Sequence, residues 1–181
     1  MTPSRFKTVA ALALLALAAS APAAAQRPAG DHPLAAFADS LTPMPMAASL
    51  TNKGLVYAPA YAALRTGSGK AKLDFAVTLS IQNASEDKPL VLFRIDYFDT
   101  SGKLVEKFLT DPVAVRPYGT VEIFVAKDDA RGGTGANFIV GWAAAGTIAE
   151  PVIETVMISS AGNFSWSFVS QGRPIRMVSP Q

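Results

Sequence analysis

The sequence predicts an all-β chain: an antiparallel β-sandwich, with an immunoglobulin-like arrangement as the nearest template and a small β-barrel as the alternative. Three observations predict it. Apolar and polar residues alternate in short runs between Leu55 and Phe168, the two-residue period of a half-buried strand. Clusters of Gly, Pro, Asn, Asp and Ser break these runs every 8–12 residues or roughly so, the spacing of a sandwich or barrel. After the first 25 residues no stretch keeps the 3.6-residue period of an amphipathic helix.

The chain opens as an export signal. Arg5 and Lys7 supply a positive start, Val9 to Ala19 is an apolar run, and Ala23-Ala24-Ala25 is a small-residue cleavage site before Gln26. The apolar run is shorter than the roughly 20 residues needed to span a bilayer, so residues 1–25 are read as a cleavable signal peptide and the mature protein as periplasmic or secreted, with no integral membrane segment. The absence of Cys excludes a bacterial lipid anchor, disulfides, a thiolate nucleophile and zinc–cysteine sites. The full chain carries 16 Lys+Arg against 14 Asp+Glu; removing Arg5 and Lys7 leaves 14 against 14. A neutral mature chain gives no electrostatic case for binding nucleic acid.

Residues 26–50 are rich in Ala and Pro, with Pro28, Pro33, Pro43 and Pro45, and read as a flexible tether. The one histidine, His32, falls in it, without the neighbours that position a general base. Residues 51–178 form the single folded domain. Leu55, Tyr57, Pro59 and Tyr61 share one strand face, and Pro59 places that strand at an edge. Leu73, Phe75, Val77, Leu79 and Ile81 alternate with polar or small residues in the cleanest half-buried strand. After a polar loop over 83–89, Val91, Phe93, Ile95 and Tyr97 face one way and Leu92, Arg94 and Asp96 the other. Asp99-Thr100-Ser101-Gly102 reads as a hairpin loop with Gly102 left-handed, and Leu104 to Leu109 returns as its partner. A short strand at Val113–Val115, a turn at 116–119, and Val121, Ile123 and Val125 follow. Beyond the glycine loop come Phe138, Val140 and Trp142 on one face, then Val152, Glu154, Val156 and Ile158, a second hairpin loop over Ser160–Asn163, and Phe164, Trp166 and Phe168. Order is expected to end near Gly172-Arg173-Pro174.

The loop from Asp128 to Asn137 is the candidate ligand-binding surface: Asp128, Asp129, Arg131, Gly132, Gly133, Thr134, Gly135 and Asn137. Three glycines in four positions demand positive φ or close approach. Consecutive amides can cradle an anion, Arg131 offers a bidentate fork, and the two Asp offer oxygens to a hard cation. The competing reading is a tight bend whose side chains satisfy its own backbone. Nucleotide motifs do not fit, because no Gly-Lys-Ser/Thr follows and the chain runs on into a strand, not a helix.

Tyr57-Ala58-Pro59-Ala60-Tyr61, Leu79-Ser80-Ile81-Gln82-Asn83, Asp96-Tyr97-Phe98-Asp99, Arg131-Gly132-Gly133-Thr134-Gly135-Ala136-Asn137-Phe138-Ile139-Val140, Glu150-Pro151-Val152-Ile153-Glu154 and Ser167-Phe168-Val169 occur in this order. Over residues 55–176 the chain resembles a bacterial family catalogued only as domain of unknown function 3124. Gly141 stands where the family pattern has a charged residue before the Trp, and Gln171 where it has a basic residue. The resemblance implies a small exported domain and transfers no reaction, ligand or catalytic residue.

Function is therefore read from the surface. The leading expectation is a non-catalytic module with no metal or cofactor, binding an envelope protein or small ligand through the glycine loop or a sheet edge. The alternative is an enzyme acting on envelope carbohydrate or lipid head groups through acid–base carboxylates, for which Asp96, Asp99, Glu106 and Asp111 are the available cluster; as solvated turn and strand residues they need no such role. A third reading is a subunit that assembles edge to edge. The aromatic sets Tyr57/Tyr61 and Phe164/Trp166/Phe168 suit sugar stacking but keep the strand period expected of core packing.

Overall fold

The structure, a computed structural model, describes residues 32–178. The expected signal peptide and the first part of the expected tether lie outside these residues. Among the described residues there are thirteen strands: β1 Leu41–Thr42, β2 Leu50–Pro59, β3 Ala63–Thr66, β4 Ala71–Asp74, β5 Ala76–Gln82, β6 Leu90–Phe98, β7 Leu104–Lys107, β8 Val113–Val115, β9 Thr120–Val125, β10 Asn137–Ala145, β11 Val152–Ala161, β12 Phe164–Gln171 and β13 Arg173–Val178. All pairings are antiparallel. One sheet runs β1-β8-β6-β10-β2-β13, with β7 also on β6; the second runs β12-β11-β5-β9; β3 and β4 form a separate hairpin. The sheets stay open, so the barrel alternative falls and the sandwich holds.

The core lies between the sheets. Val77, Leu79 and Ile81 of β5, Val121, Ile123 and Val125 of β9, and Ile153 and Met157 of β11 face Val56 and Ala58 of β2, Leu92, Ile95 and Tyr97 of β6, and Phe138, Val140 and Trp142 of β10. Alternation in β5, β9 and β10 sends every second side chain inward. At β11 the inward set is Ile153, Thr155, Met157 and Ser159, and Val152 and Ile158 are exposed. The two inward hydroxyls are satisfied by main-chain carbonyls: Thr155 donates to Pro59 and Ser159 to Asp74.

Several expectations change. The period expected through Val91, Phe93, Ile95 and Tyr97 breaks at a β-bulge: Gly141 pairs with Arg94 and Trp142 with Leu92. Leu90 and Leu92 point inward before it, Ile95 and Tyr97 after it, and Phe93 is left on the surface. One extra residue shifts the phase of every side chain beyond it. Pro59 does not mark an edge strand. β2 is central, between β10 and β13, and β13 pairs only with Lys53 to Tyr57, so the ring that lacks an N–H lies past its end. Order does not end at Gly172, since β13 follows. Nor is the chain a free tether up to residue 50. Leu34 is fully buried, Phe37 and Leu41 pack against the core, and β1 pairs with β8. Three apolar side chains within eight residues outweighed the Ala/Pro composition.

Candidate functional site

The glycine loop joins β9 to β10 at one end of the sandwich and folds against the Asp99–Lys103 turn between β6 and β7. The Asp129 amide donates to the Ala126 carbonyl at 3.0 Å, which turns the chain out of β9. Arg131 is then fixed by carboxylates. Its Nε and Nη2 donate to the two oxygens of Asp129 at 2.8 and 2.6 Å, and Nη2 also donates to Glu106 of β7 at 2.9 Å. The Arg131 amide donates to Asp129 Oδ1 at 3.1 Å. The arginine fork expected to receive a ligand carboxylate or phosphate thus closes on the protein's own acids. Hydrogen bonding from Arg131 holds the Asp129 carboxyl below its ordinary range against partial burial; the same bonds, with Glu106, raise the guanidinium pKa.

Thr100 supports the next segment. Its amide and hydroxyl both donate to the Gly132 carbonyl, at 2.9 and 3.0 Å, and its Oγ1 accepts from the Gly135 amide at 2.8 Å. Gly133 takes φ +74°, and a Cβ there would lie 2.6 Å from Thr100 Oγ1. Gly133–Gly135 forms one 3-10 turn, and Asn137 enters β10 between Pro59 and Phe98. Gly132 answers a closer approach. A Cβ on it would sit 1.9 Å from the hydroxyl of Tyr97, a side chain with 0% exposure whose Oη has no hydrogen-bond partner among the described residues. Burial, reinforced by Asp129 and opposed by Arg131, pushes the Tyr97 phenol up to about 12.

The loop therefore brings Asp129, Arg131, Gly132, Gly133 and Gly135 into one bonded corner, with Asp128, Ala130 and Arg131 on its exposed side. Tyr97, Thr100 and Glu106 complete that corner and were not placed there by the sequence reading. Nothing in their spacing links them to the glycines, because the contact joins the β6–β7 hairpin to the connection that crosses from β9 of one sheet to β10 of the other. Of the carboxylate cluster, Asp96 is held by Arg94 at 2.7 Å. Asp99 accepts from the Ser101 hydroxyl and from the Ser101 and Lys103 amides, which keeps its carboxyl below the usual range. Among the described residues no three His, Cys, Asp or Glu side chains gather as a metal site. Elsewhere, Glu150, Trp142, Val56, Ile153 and Gly172 line a cavity of about 70 Å³ at the β2–β11 seam. Trp142 Nε1 has no hydrogen-bond partner among the described residues. Phe168 packs on Phe75 and Tyr61, but Phe164 and Trp166 lie outside the core, against expectation.

A family model described as Protein of unknown function (DUF3124) matches residues 53–175. A solved structure, that of Thermotoga maritima 1070, is similar over 66% of this chain and 92% of that one, at 13% identity and a TM-score of 0.40. No curated protein matches the chain.

Proposed function

Since the chain belongs to the DUF3124 family of proteins of unknown function, we propose that it is a non-catalytic, exported β-sandwich module that binds an envelope protein or small ligand at the Asp128–Asn137 corner. The observation that carries this reading is the fixed geometry of Arg131, held by Asp129 and Glu106 on an exposed corner. A charged surface whose rotamers are already ordered loses less entropy when a partner docks, and loops on a rigid scaffold are common places for recognition. The glycines are accounted for by Tyr97 and Thr100, so the recognition content lies in Asp128, Arg131, Thr134 and Asn137 with their backbone.

One further observation supports binding over acid–base chemistry. A general acid requires a carboxyl whose proton is held more tightly than usual, and the Asp99 and Asp129 carboxyls both shift the opposite way. Export rests on the Arg5/Lys7 start and the Val9–Ala19 run; among the described residues no helix is long and apolar enough to cross a membrane.

The test is Arg131→Ala and Asp128→Lys, each checked for an unchanged circular dichroism spectrum, in cross-linking pull-downs from envelope extract and in amide-shift titrations with extract small molecules. Loss of a partner band, or of shifts at Thr134 and Asn137, is expected. An unchanged profile in both assays removes the loop from the account.

A further inference from the structure

An exposed sheet edge offers a row of unpaired main-chain donors and acceptors, and folded proteins blunt such edges with charge, proline, shortness or cover. Among the described residues the edges of the two larger sheets follow that rule with one exception. β1 has two residues and β7 four, the latter with Glu106 and Lys107. β9 is packed by the 3-10 segment Ala35–Ser40. β13 carries Arg173, Pro174 and Arg176. β12 has none of these protections. It is eight residues long, Phe-Ser-Trp-Ser-Phe-Val-Ser-Gln, without charge or proline. Among the described residues only β11 pairs with it. Most of its side chains are open to solvent, Phe168 on the core excepted: Phe164 is 70% exposed, Trp166 42% and Val169 55%. Phe164 and Trp166 stack on each other, centroids 6.1 Å apart, and not on the core.

We infer that the β12 edge pairs with the β12 edge of a second copy of this chain. The charge pattern selects that occupant. Antiparallel self-pairing sets every side chain against one from its own strand, so a charged edge would meet like charge; β12 meets none, whereas β13 would bring its two arginines close to their equivalents. A twofold axis normal to the sheet keeps inner face with inner face, so opposed residues must share parity. With Ser167 on the axis, Trp166 faces Phe168 of the partner subunit and Ser165 faces Val169 of the partner subunit. Aromatic cross-strand pairs of this kind are favourable, and the interface is isologous and closes at two copies. The two four-stranded sheets then become one of eight. A single strand pair is small against the roughly 1,200–2,000 Å² of a stable interface, so the dimer is concentration-dependent. This inference concerns a surface separate from the glycine loop and does not rest on its role.

Sedimentation velocity across micromolar to millimolar protein tests it, with two variants at the exposed axis position. Wild type is expected to pass from the mass of one chain to that of two, and Ser167→Lys to weaken the dimer at least tenfold at low salt. The chain has no cysteine, so Ser167→Cys reports alone. Mild oxidation should link two copies through it, and Thr66→Cys, exposed on β3, should link few. A wild type that stays monomeric throughout overturns the proposal, as it would if another segment of the chain or another protein covered the edge. So does a dimer that survives Ser167→Lys, or a Ser167→Cys yield no higher than that of Thr66→Cys.

Discussion

Gly132 and Tyr97 form a pair that neither residue's sequence context discloses. The glycine is required because the Tyr97 hydroxyl occupies the place of its Cβ, 1.9 Å away. Gly132→Ala should therefore displace the loop or the ring and cost on the order of 1–3 kcal/mol, the usual range for overpacking. Tyr97→Phe removes a buried oxygen without a hydrogen-bond partner among the described residues, so it should be neutral or stabilising by about 1 kcal/mol. In the double variant part of the Gly132→Ala loss should return, though not all, since Tyr97 Cζ also lies within 2.7 Å of the added carbon. Urea denaturation of the four proteins measures this; additive losses would show that the ring and the loop do not compete for that space. The same tyrosine sets a pH dependence. Its folded pKa is raised from 10.0 to about 12, so its stability contribution is intact below pH 10. That contribution is lost as pH rises through the folded value, because the unfolded phenol ionises first. Between pH 10 and 12, wild type should lose stability faster than Tyr97→Phe, and parallel curves would contradict the assignment.

The bulge in β6 shows how one inserted residue can mislead a reading of period. Phe93 is displaced outward and its ring lies over Gly141, where a Cβ would be 2.5 Å from Phe93 Cε2 and 3.0 Å from Arg94 Cβ. Gly141→Ala should lift the ring or open the β6–β10 pairing, at a cost of about 1–3 kcal/mol, and Phe93→Ala should relieve part of it. Hydrogen exchange at Arg94 and Trp142 checks the location; protection unchanged in Gly141→Ala would mean that the ring swings away at no cost. Strand existence was legible wherever alternation ran unbroken, as in β5, β9 and β10. The phase of β6 was not, because a bulge has no marker when neither neighbour is glycine or proline. β13 was missed because Arg173, Pro174 and Arg176 read as loop residues, and the same residues suit an edge strand exposed along its length. The glycine loop was legible as a sharp bend, but its Thr100, Glu106 and Tyr97 partners were not, since they come from the β6–β7 hairpin, about 25–35 residues earlier in the chain.

At the scale of the molecule the two sheets are joined along both flanks. On one, β12 passes to β13 through Gly172, whose amide donates to the Ile153 carbonyl at 2.8 Å and whose missing Cβ leaves room for Val56. On the other, residues 34–42 span from sheet to sheet: β1 pairs with β8 of the larger sheet, and Ala35–Ser40 packs on β9 of the smaller one. Arg116 strengthens that flank, its amide donating to the Ser40 carbonyl at 3.0 Å and its Nη2 to that of Leu41 at 3.1 Å. This staple precedes the span matched by the family model, which starts at residue 53. If it is part of the cooperative fold, Leu34→Ala should cost on the order of 2–5 kcal/mol, the range for truncating a fully buried leucine. The midpoint of urea unfolding should fall with an unchanged m-value, and amide exchange should quicken at β8 and β9 before it does at β5 or β10. Faster exchange confined to residues 34–42, with the midpoint unmoved, would instead mean that the segment docks on a sandwich already stable without it.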